Sequence, residues 1–251
     1  PKHTKNLVPK VSRCAVLEPL NAQIVRSDIL RSSHRHFDHL STESFSMIAD
    51  HLRAVMTPMG AGKDVPSNRY AVRELGWWQS FEDRGLKITA VPAAHEGNRM
   101  LHDAASHPVA FGGYVIEYAG HSVYFAGDTA YEPALFEQIA ERFPKLDLAL
   151  LPIGPIAPEK MMLEHHMNPE QALRAFATLG AAQLIPVHFA TYMHSFDDPG
   201  DCEARFDAAV ALEPGLSSRA HRLAVGERRV VLPLPPASAE VSSVRNAASR
   251  L

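Results

Sequence analysis

The stretch Ser33-His34-Arg35-His36-Phe37-Asp38-His39-Leu40 places three histidines and an aspartate within six residues, shortly after the apolar pair Ile29-Leu30. Imidazole nitrogens and carboxylate oxygens are ligands for divalent cations. In an extended or turning segment residues two apart point the same way, so His34 and His36 can close on one ion, while Asp38 and His39, past the bend, are aimed at a second. The spacing predicts two metals. Solvated histidines on a polar loop are the plainer alternative. A His-x-His-x-Asp-His run bounded by apolar residues is rare by chance, however, and further ligand-type residues recur downstream at strand ends.

Those residues need elements to bring them together. Ser27 to Leu30 predicts a short buried strand that delivers the histidine loop. From Ser41 the period changes: Phe45, Ile48 and Leu52 recur at helical spacing, with Ser41 or Thr42 as N-cap and Glu43 in the first turn, so a helix runs to about Leu52. Ala54 to Thr57 reads as a strand, and Met59-Gly60-Ala61-Gly62-Lys63 as a plain turn, a lone Gly-x-Gly being weak evidence for phosphate binding. Trp77 and Trp78 read as a local core anchor. Leu86, Ile88 and Ala90 alternate through a strand that ends towards His95. Gly112 to Tyr118 and Ser122 to Phe125 form a hairpin with His121 exposed at its turn, and the second strand runs into Gly127-Asp128-Thr129.

Pro133 to Phe143 reads as a helix, and Leu146 to Ile153 as a strand buried on both faces. Asn168 caps a helix over 169–179, with Pro169 at its first position, Gln171 completing a capping box and Gly180 as its stop. Gln183 to Val187 is a strand ending at His188; Phe206 to Leu212 is a last helix and Arg228 to Leu232 a last strand. Residues 1–28, broken by Pro9 and Pro19, read as a leading segment with room for one strand. The Ala- and Ser-rich stretch 235–251 has little to bury and reads as a disordered tail. Strands alternating with helices imply one layered α/β domain over 1–234, with its site along one edge of the sheets.

Composition narrows the function. At 46% apolar content the 251 residues can bury one large core, and a net charge of −3 with mixed signs lacks the basic stripe of a nucleic-acid binder. Cys14 and Cys202 have neither disulfide-framework nor zinc-cluster spacing, which fits a reducing, cytoplasmic compartment. No run of eighteen apolar residues predicts a membrane span. The first residue is Pro1 and not Met, which leaves room for a leader or a longer N-terminal region.

The candidate ligands His34, His36, Asp38, His39, His95, Asp128 and His188 lie in motifs that resemble the metallo-β-lactamase superfamily, in particular its branch of N-acylphosphatidylethanolamine phospholipase D and ascorbate-6-phosphate lactonase. The resemblance covers about Ile29 to Leu232. It rests on Ser-His-Arg-His-Phe-Asp-His-Leu, Glu74 to Trp78, Pro92 to His95, Phe125-Ala126-Gly127-Asp128-Thr129, His166-Met167-Asn168-Pro169-Glu170 and Pro186-Val187-His188-Phe189. It implies a four-layer αββα sandwich and a dinuclear hydrolase. In that family pattern His34, His36 and His95 hold one zinc, Asp38, His39 and His188 the other, and Asp128 bridges both, with a shared hydroxide as nucleophile. Manganese or iron would suit the same ligands. Such a family usually has two or more strands ahead of the metal loop, whereas thirty-three residues precede His34 here, so either the chain is truncated or the first sheet has lost strands.

Two dications against two carboxylates and a hydroxide leave the centre at roughly +1, which favours an anionic phosphodiester over a neutral amide. The expected substrate is therefore an anionic small molecule or a phospholipid-type molecule, compatible with peripheral contact to a membrane surface. Asp38 and His166 are the expected catalytic residues; His166, just ahead of the Asn168 cap, is placed to steady a developing oxyanion or to protonate a leaving group. His165 is expected to be exposed. Redox relatives typically replace a histidine of the first loop with an acid, so His36 argues for hydrolysis. The Trp-Trp and His-Met-Asn-Pro-Glu stretches point away from the transfer-RNA nucleases of the family. A lactonase, a nuclease and a non-catalytic metal-binding module are the alternatives to a phosphodiesterase.

Overall fold

The computed structural model describes residues 29–66, 69–99, 109–191, 195–224 and 226–232. The expectations for the leading segment and for the tail lie outside them. Three parallel strands, β1 (Ile29–Arg31), β2 (Ala54–Pro58) and β3 (Ala71–Leu75), form one sheet in the order β1-β2-β3. Six strands form the other in chain order: β4 (Ser80–Asp83), β5 (Leu86–Val91), β6 (Gly113–Tyr118), β7 (His121–Phe125), β8 (Leu148–Pro152) and β9 (Gln183–Val187). Strands β4 to β7 pair antiparallel, while β7, β8 and β9 pair parallel.

Side-chain alternation assigns the layers, because neighbours along a strand face opposite ways. In β2, Ala54 and Met56 join Ile29, Leu75, Ile88, Ala90 and Tyr114 between the two sheets. Val55 points the other way, onto Leu40, Phe45 and Ala49 and thus onto helix α1 (Thr42–Ile48). Beyond the second sheet, Val115, Tyr124, Ala149, Leu151 and Leu184 pack against Phe136 and Ile139 of α2 (Pro133–Arg142), Phe176 and Leu179 of α4 (Pro169–Leu179) and Phe206 of α5 (Asp201–Leu212). Helix, sheet, sheet, helix is the four-layer sandwich expected. A short α3 (Glu159–Met162) lies between β8 and α4.

Local signals mostly hold. Ser41 caps α1 through Ser44 N, although the regular helix stops at Ile48 and a 3-10 turn, Ala49–His51, completes the run. Asn168 and Gln171 form the capping box of α4, and Gly180 ends it in the left-handed conformation at φ 62°. In the glycine turn the Glu74 carboxylate accepts from Gly60 N at 3.2 Å and Gly62 N at 2.7 Å, so the anion it holds is the protein's own. Trp78 packs against the large core with the Arg142 guanidinium 3.8 Å from its ring, but Trp77 is 37% exposed, its indole N–H donating to the Phe111 carbonyl and its ring edge-on to that of Phe111. His121 opens β7 half-buried, with Nδ1 3.7 Å from the Asp147 carboxylate, and is not exposed.

One expected element is absent: Arg228 to Leu232 form no strand. The edge of β9 they would join is taken by Arg219 and His221, which exchange backbone bonds with Leu184, and Val230 is left 84% exposed. Helix α5 begins five residues earlier than expected, at Asp201, after Gly200 in the left-handed region.

Candidate metal centre

Every candidate ligand sits just past the C-terminal end of a strand, the edge at which layered α/β sheets present their ligands. The histidine loop follows β1, His95 follows β5, Asp128 follows β7 and His188 follows β9. Backbone bonds tie these loops to one another: Gly112 N donates to the Ser33 carbonyl at 2.9 Å, and Ala130 N to the Ala94 carbonyl at 2.8 Å. Thr129 Oγ1 accepts from Ala94 N at 2.9 Å. Arg35, buried within the motif, donates to the Asp64 carboxylate and the Gly97 carbonyl, which fixes the floor of the loop. His188 itself is left-handed at φ 60°, a conformation costing about 1–2 kcal/mol for a residue with a Cβ. Backbone strain of that kind concentrates at functional sites.

The donor atoms converge. His34 Nε2 lies 2.9 Å from His36 Nδ1, which is 3.4 Å from His95 Nε2. On the other side, His39 Nε2 lies 3.0 Å from Asp38 Oδ2 and 3.3 Å from His188 Nε2. Asp128 Oδ2 stands between the two groups, 3.2 Å from His39 and His188 and 3.9 Å from His34. Ligands at about 2.0–2.1 Å from a tetrahedral zinc are about 3.3–3.4 Å apart, so most of these spacings are those of a coordination shell.

The outer nitrogens give an independent test of whether the residues fit a cation. His36 Nε2 meets Asn98 Oδ1 at 3.0 Å, His95 Nδ1 the His165 carbonyl at 2.9 Å and His188 Nδ1 the Gly154 carbonyl at 2.9 Å. Those oxygens only accept, so each of these rings carries its proton on the outside and presents a bare lone pair inward. Ser33 Oγ holds the outer nitrogens of His34 (3.0 Å) and His39 (3.3 Å). Inward lone pairs packed this closely repel unless a proton or a metal ion lies among them, and outer-shell bonds of this type orient metal-binding histidines. The donors form two triads, His34-His36-His95 and Asp38-His39-His188, with Asp128 in reach of both.

His166 also joins the group. Its ring stacks on His188 at 5.5 Å between centroids, and its Nδ1, 3.8 Å from Asp128 Oδ2, is buried without a hydrogen-bond partner among the described residues. His165 is half-buried and not exposed, and contributes its carbonyl rather than its ring. Sequence reasoning missed Ser33, Asn98 and the two carbonyls. Asn98, three residues beyond His95 in the same loop, was the one with a recoverable signal.

The two triads differ electrically. Burial, reinforced by the neighbouring His39 and His95, holds His34 well below its ordinary pKa, and burial pushes His95 down to about 3 against the pull of Asp128. Burial also opposes a charge on His39, but hydrogen bonds to Asp128 and Asp38 outweigh it and raise that ring to about 9. His188 is raised for a similar reason, through Asp38 and Asp128, and both carboxyls are held well below their usual range by these histidines despite burial. For the metal-free chain, His39 therefore contributes stability that is fully present below its unfolded value of 6.5 and is lost as pH rises through about 9. A cation must displace that proton. Zinc binding at pH 7 should release at least about one proton per chain, and affinity at the Asp38-His39-His188 triad should climb with pH up to about 9. Calorimetry in buffers of different ionisation enthalpy measures this, and binding without proton release would contradict it.

A sandwich of this layering, with seven His and Asp side chains gathered at one edge, is an arrangement shared by a known class of proteins. The model of the β-lactamase superfamily domain matches residues 12–189, and the chain belongs to that superfamily, with the metallo-β-lactamase fold. Among its relatives is the mitochondrial N-acyl-phosphatidylethanolamine-hydrolyzing phospholipase D of Saccharomyces cerevisiae, 32% identical over 76% of this chain and 42% of that protein. Another is a metal-dependent hydrolase of Thermus thermophilus, 33% identical over 67% of this chain and 68% of that protein. The chain spans about half the length of the phospholipase D relatives it matches. Among solved structures, a metallo hydrolase from Ignicoccus hospitalis shares the fold with a TM-score of 0.60 at 23% identity, over 80% of this chain and 78% of that one.

Proposed function

We propose that the chain is a dinuclear metal-dependent hydrolase, with zinc the best-suited ion, and that it cleaves an anionic phosphodiester of the phospholipid class. The observation that carries this reading is the position of Asp128 Oδ2 within reach of both donor triads. Held there, two cations would lower the pKa of a coordinated water towards neutrality and polarise the scissile group. His34, His36 and His95 would hold one, and Asp38, His39 and His188 the other. The Asp38 and Asp128 carboxylates would offset four positive charges only in part, so the centre retains a pull on a phosphate. Relatives named for phospholipid hydrolysis and for metal-dependent hydrolysis support this class of reaction.

His166 supplies the remaining chemistry. Burial, only partly countered by Asp128, pushes its pKa down to about 4, so the ring is neutral at pH 7. A neutral imidazole with an unengaged nitrogen can donate an N–H to an oxygen that gains charge as the ester bond breaks. Asp38, exposed beside His39 and His188, would align the second cation with the substrate.

A panel containing a chromogenic phosphodiester, an N-acyl phospholipid and a sugar-phosphate lactone, run before and after chelation, tests the proposal. Turnover of the diesters is expected, abolished by chelation and restored by zinc or manganese. Turnover of the lactone alone would replace this reading with a lactonase, and diester turnover unchanged by chelation would overturn it.

A further inference from the structure

The loop that carries His166 has an outer side that the chemistry above does not use. Residues 163–168 connect α3 to α4, and Arg205, in the second turn of α5, reaches across behind them. Its Nε donates to Glu170 Oε1 at 2.8 Å and its Nη2 to Glu159 Oε1 at 2.9 Å. Glu159 is the first residue of α3 and Glu170 the second of α4, so one guanidinium holds both ends of the loop. Glu159 Oε1 also accepts from Asn168 Nδ2 at 3.0 Å, while Asn168 Oδ1 accepts from Gln171 N at 2.9 Å. Two residues before Asn168 stands His166.

A lone exposed ion pair contributes little to stability. Here a planar fork engages two carboxylates on separate elements, a geometry that Arg makes and Lys does not. We propose that Arg205 is a positioning residue for the hydrolytic reaction, holding the 163–168 loop where the His166 ring overlies the metal centre. This rests on the reading of His166 as catalytic.

The test uses the zinc-loaded full chain and a chromogenic phosphodiester, with Arg205→Met, Arg205→Lys, His166→Ala and the Arg205→Met/His166→Ala double variant. Arg205→Met should lower kcat about 10-fold with KM unchanged, the kinetics being taken at saturating zinc because the His165 carbonyl of the same loop orients His95. Arg205→Lys should recover only part of that loss. His166→Ala should lower kcat about 100-fold, and the double variant should be no slower than His166→Ala alone. A double variant slower by the product of the two single effects, a wild-type kcat for Arg205→Met, or full rescue by lysine would each overturn the positioning role and leave His166 standing. A wild-type kcat for His166→Ala would instead remove the reading of His166, and the role of Arg205 with it.

Discussion

Asp128→Asn should cost the protein nearly all of its hydrolytic activity while leaving its fold in place. The substitution is close to isosteric in a residue only 4% exposed, so packing is conserved and charge is what changes. One oxygen of this carboxylate lies within 3.2 Å of ring nitrogens on both His39 and His188. An amide there offers less charge to two cations and could turn its NH2 towards nitrogens that must stay bare. Losing an outer-shell partner costs about 10–100-fold in metal affinity or activity, and a residue in direct reach of both triads should exceed the upper end of that range. The metal-free variant carries its own signature: without the carboxylate the His39 pKa should fall from about 9, which a histidine-resolved NMR titration would follow. Activity within 10-fold of wild type would show that Asp128 does not join the two groups.

The second large effect is expected from a residue with no side chain. Gly127 is left-handed at φ 64°, and a Cβ built there would stand 2.5 Å from Ser33 Cβ and 3.2 Å from the Gly112 carbonyl. Ser33 cannot retreat, since its carbonyl accepts from Gly112 N and its hydroxyl holds the outer nitrogens of His34 and His39. Gly127→Ala therefore combines a left-handed penalty of about 1–2 kcal/mol with an overpacking cost of about 1–3 kcal/mol. A total of about 2–5 kcal/mol lowers the melting temperature on the order of 10 °C in a domain of this size. Gly85, also left-handed at φ 77° but with nothing within 4 Å of its built Cβ, is the control. Gly85→Ala should bear the backbone penalty alone and keep full activity. Equal shifts for the two variants would refute the close approach of the two loops.

Much of this centre was legible before any coordinates, because donor residues are rare and their placement after apolar runs is not. His95, Asp128 and His188 each follow a run that forms a strand, and the folded chain carries all three to the histidine loop. What orients them was not legible. Two of the outer-shell acceptors are backbone carbonyls, of His165 and Gly154, which every residue possesses, and Ser33 is a hydroxyl among many. In the fold, β3 escaped notice because four of its five residues are exposed, and β4 because Phe81 alone among its four residues is apolar, too little to reveal its alternation. The reverse error at Arg228 to Leu232 has a topological cause: a strand also needs an open edge, and Arg219 and His221 occupy that of β9 at Leu184. The early turn of α5 was hidden by its own acidic residues, Asp201 and Glu203, which favour a helix N-terminus without contributing to an apolar stripe.

Elemental analysis of the purified full chain tests the central claim most directly. With His34, His36 and His95 on one side of Asp128 and Asp38, His39 and His188 on the other, about two divalent ions per chain are expected, falling to about one in His95→Ala and in His188→Ala. A chain that retains its activity with no bound ion, or one that binds a single ion lost equally in both variants, would contradict it.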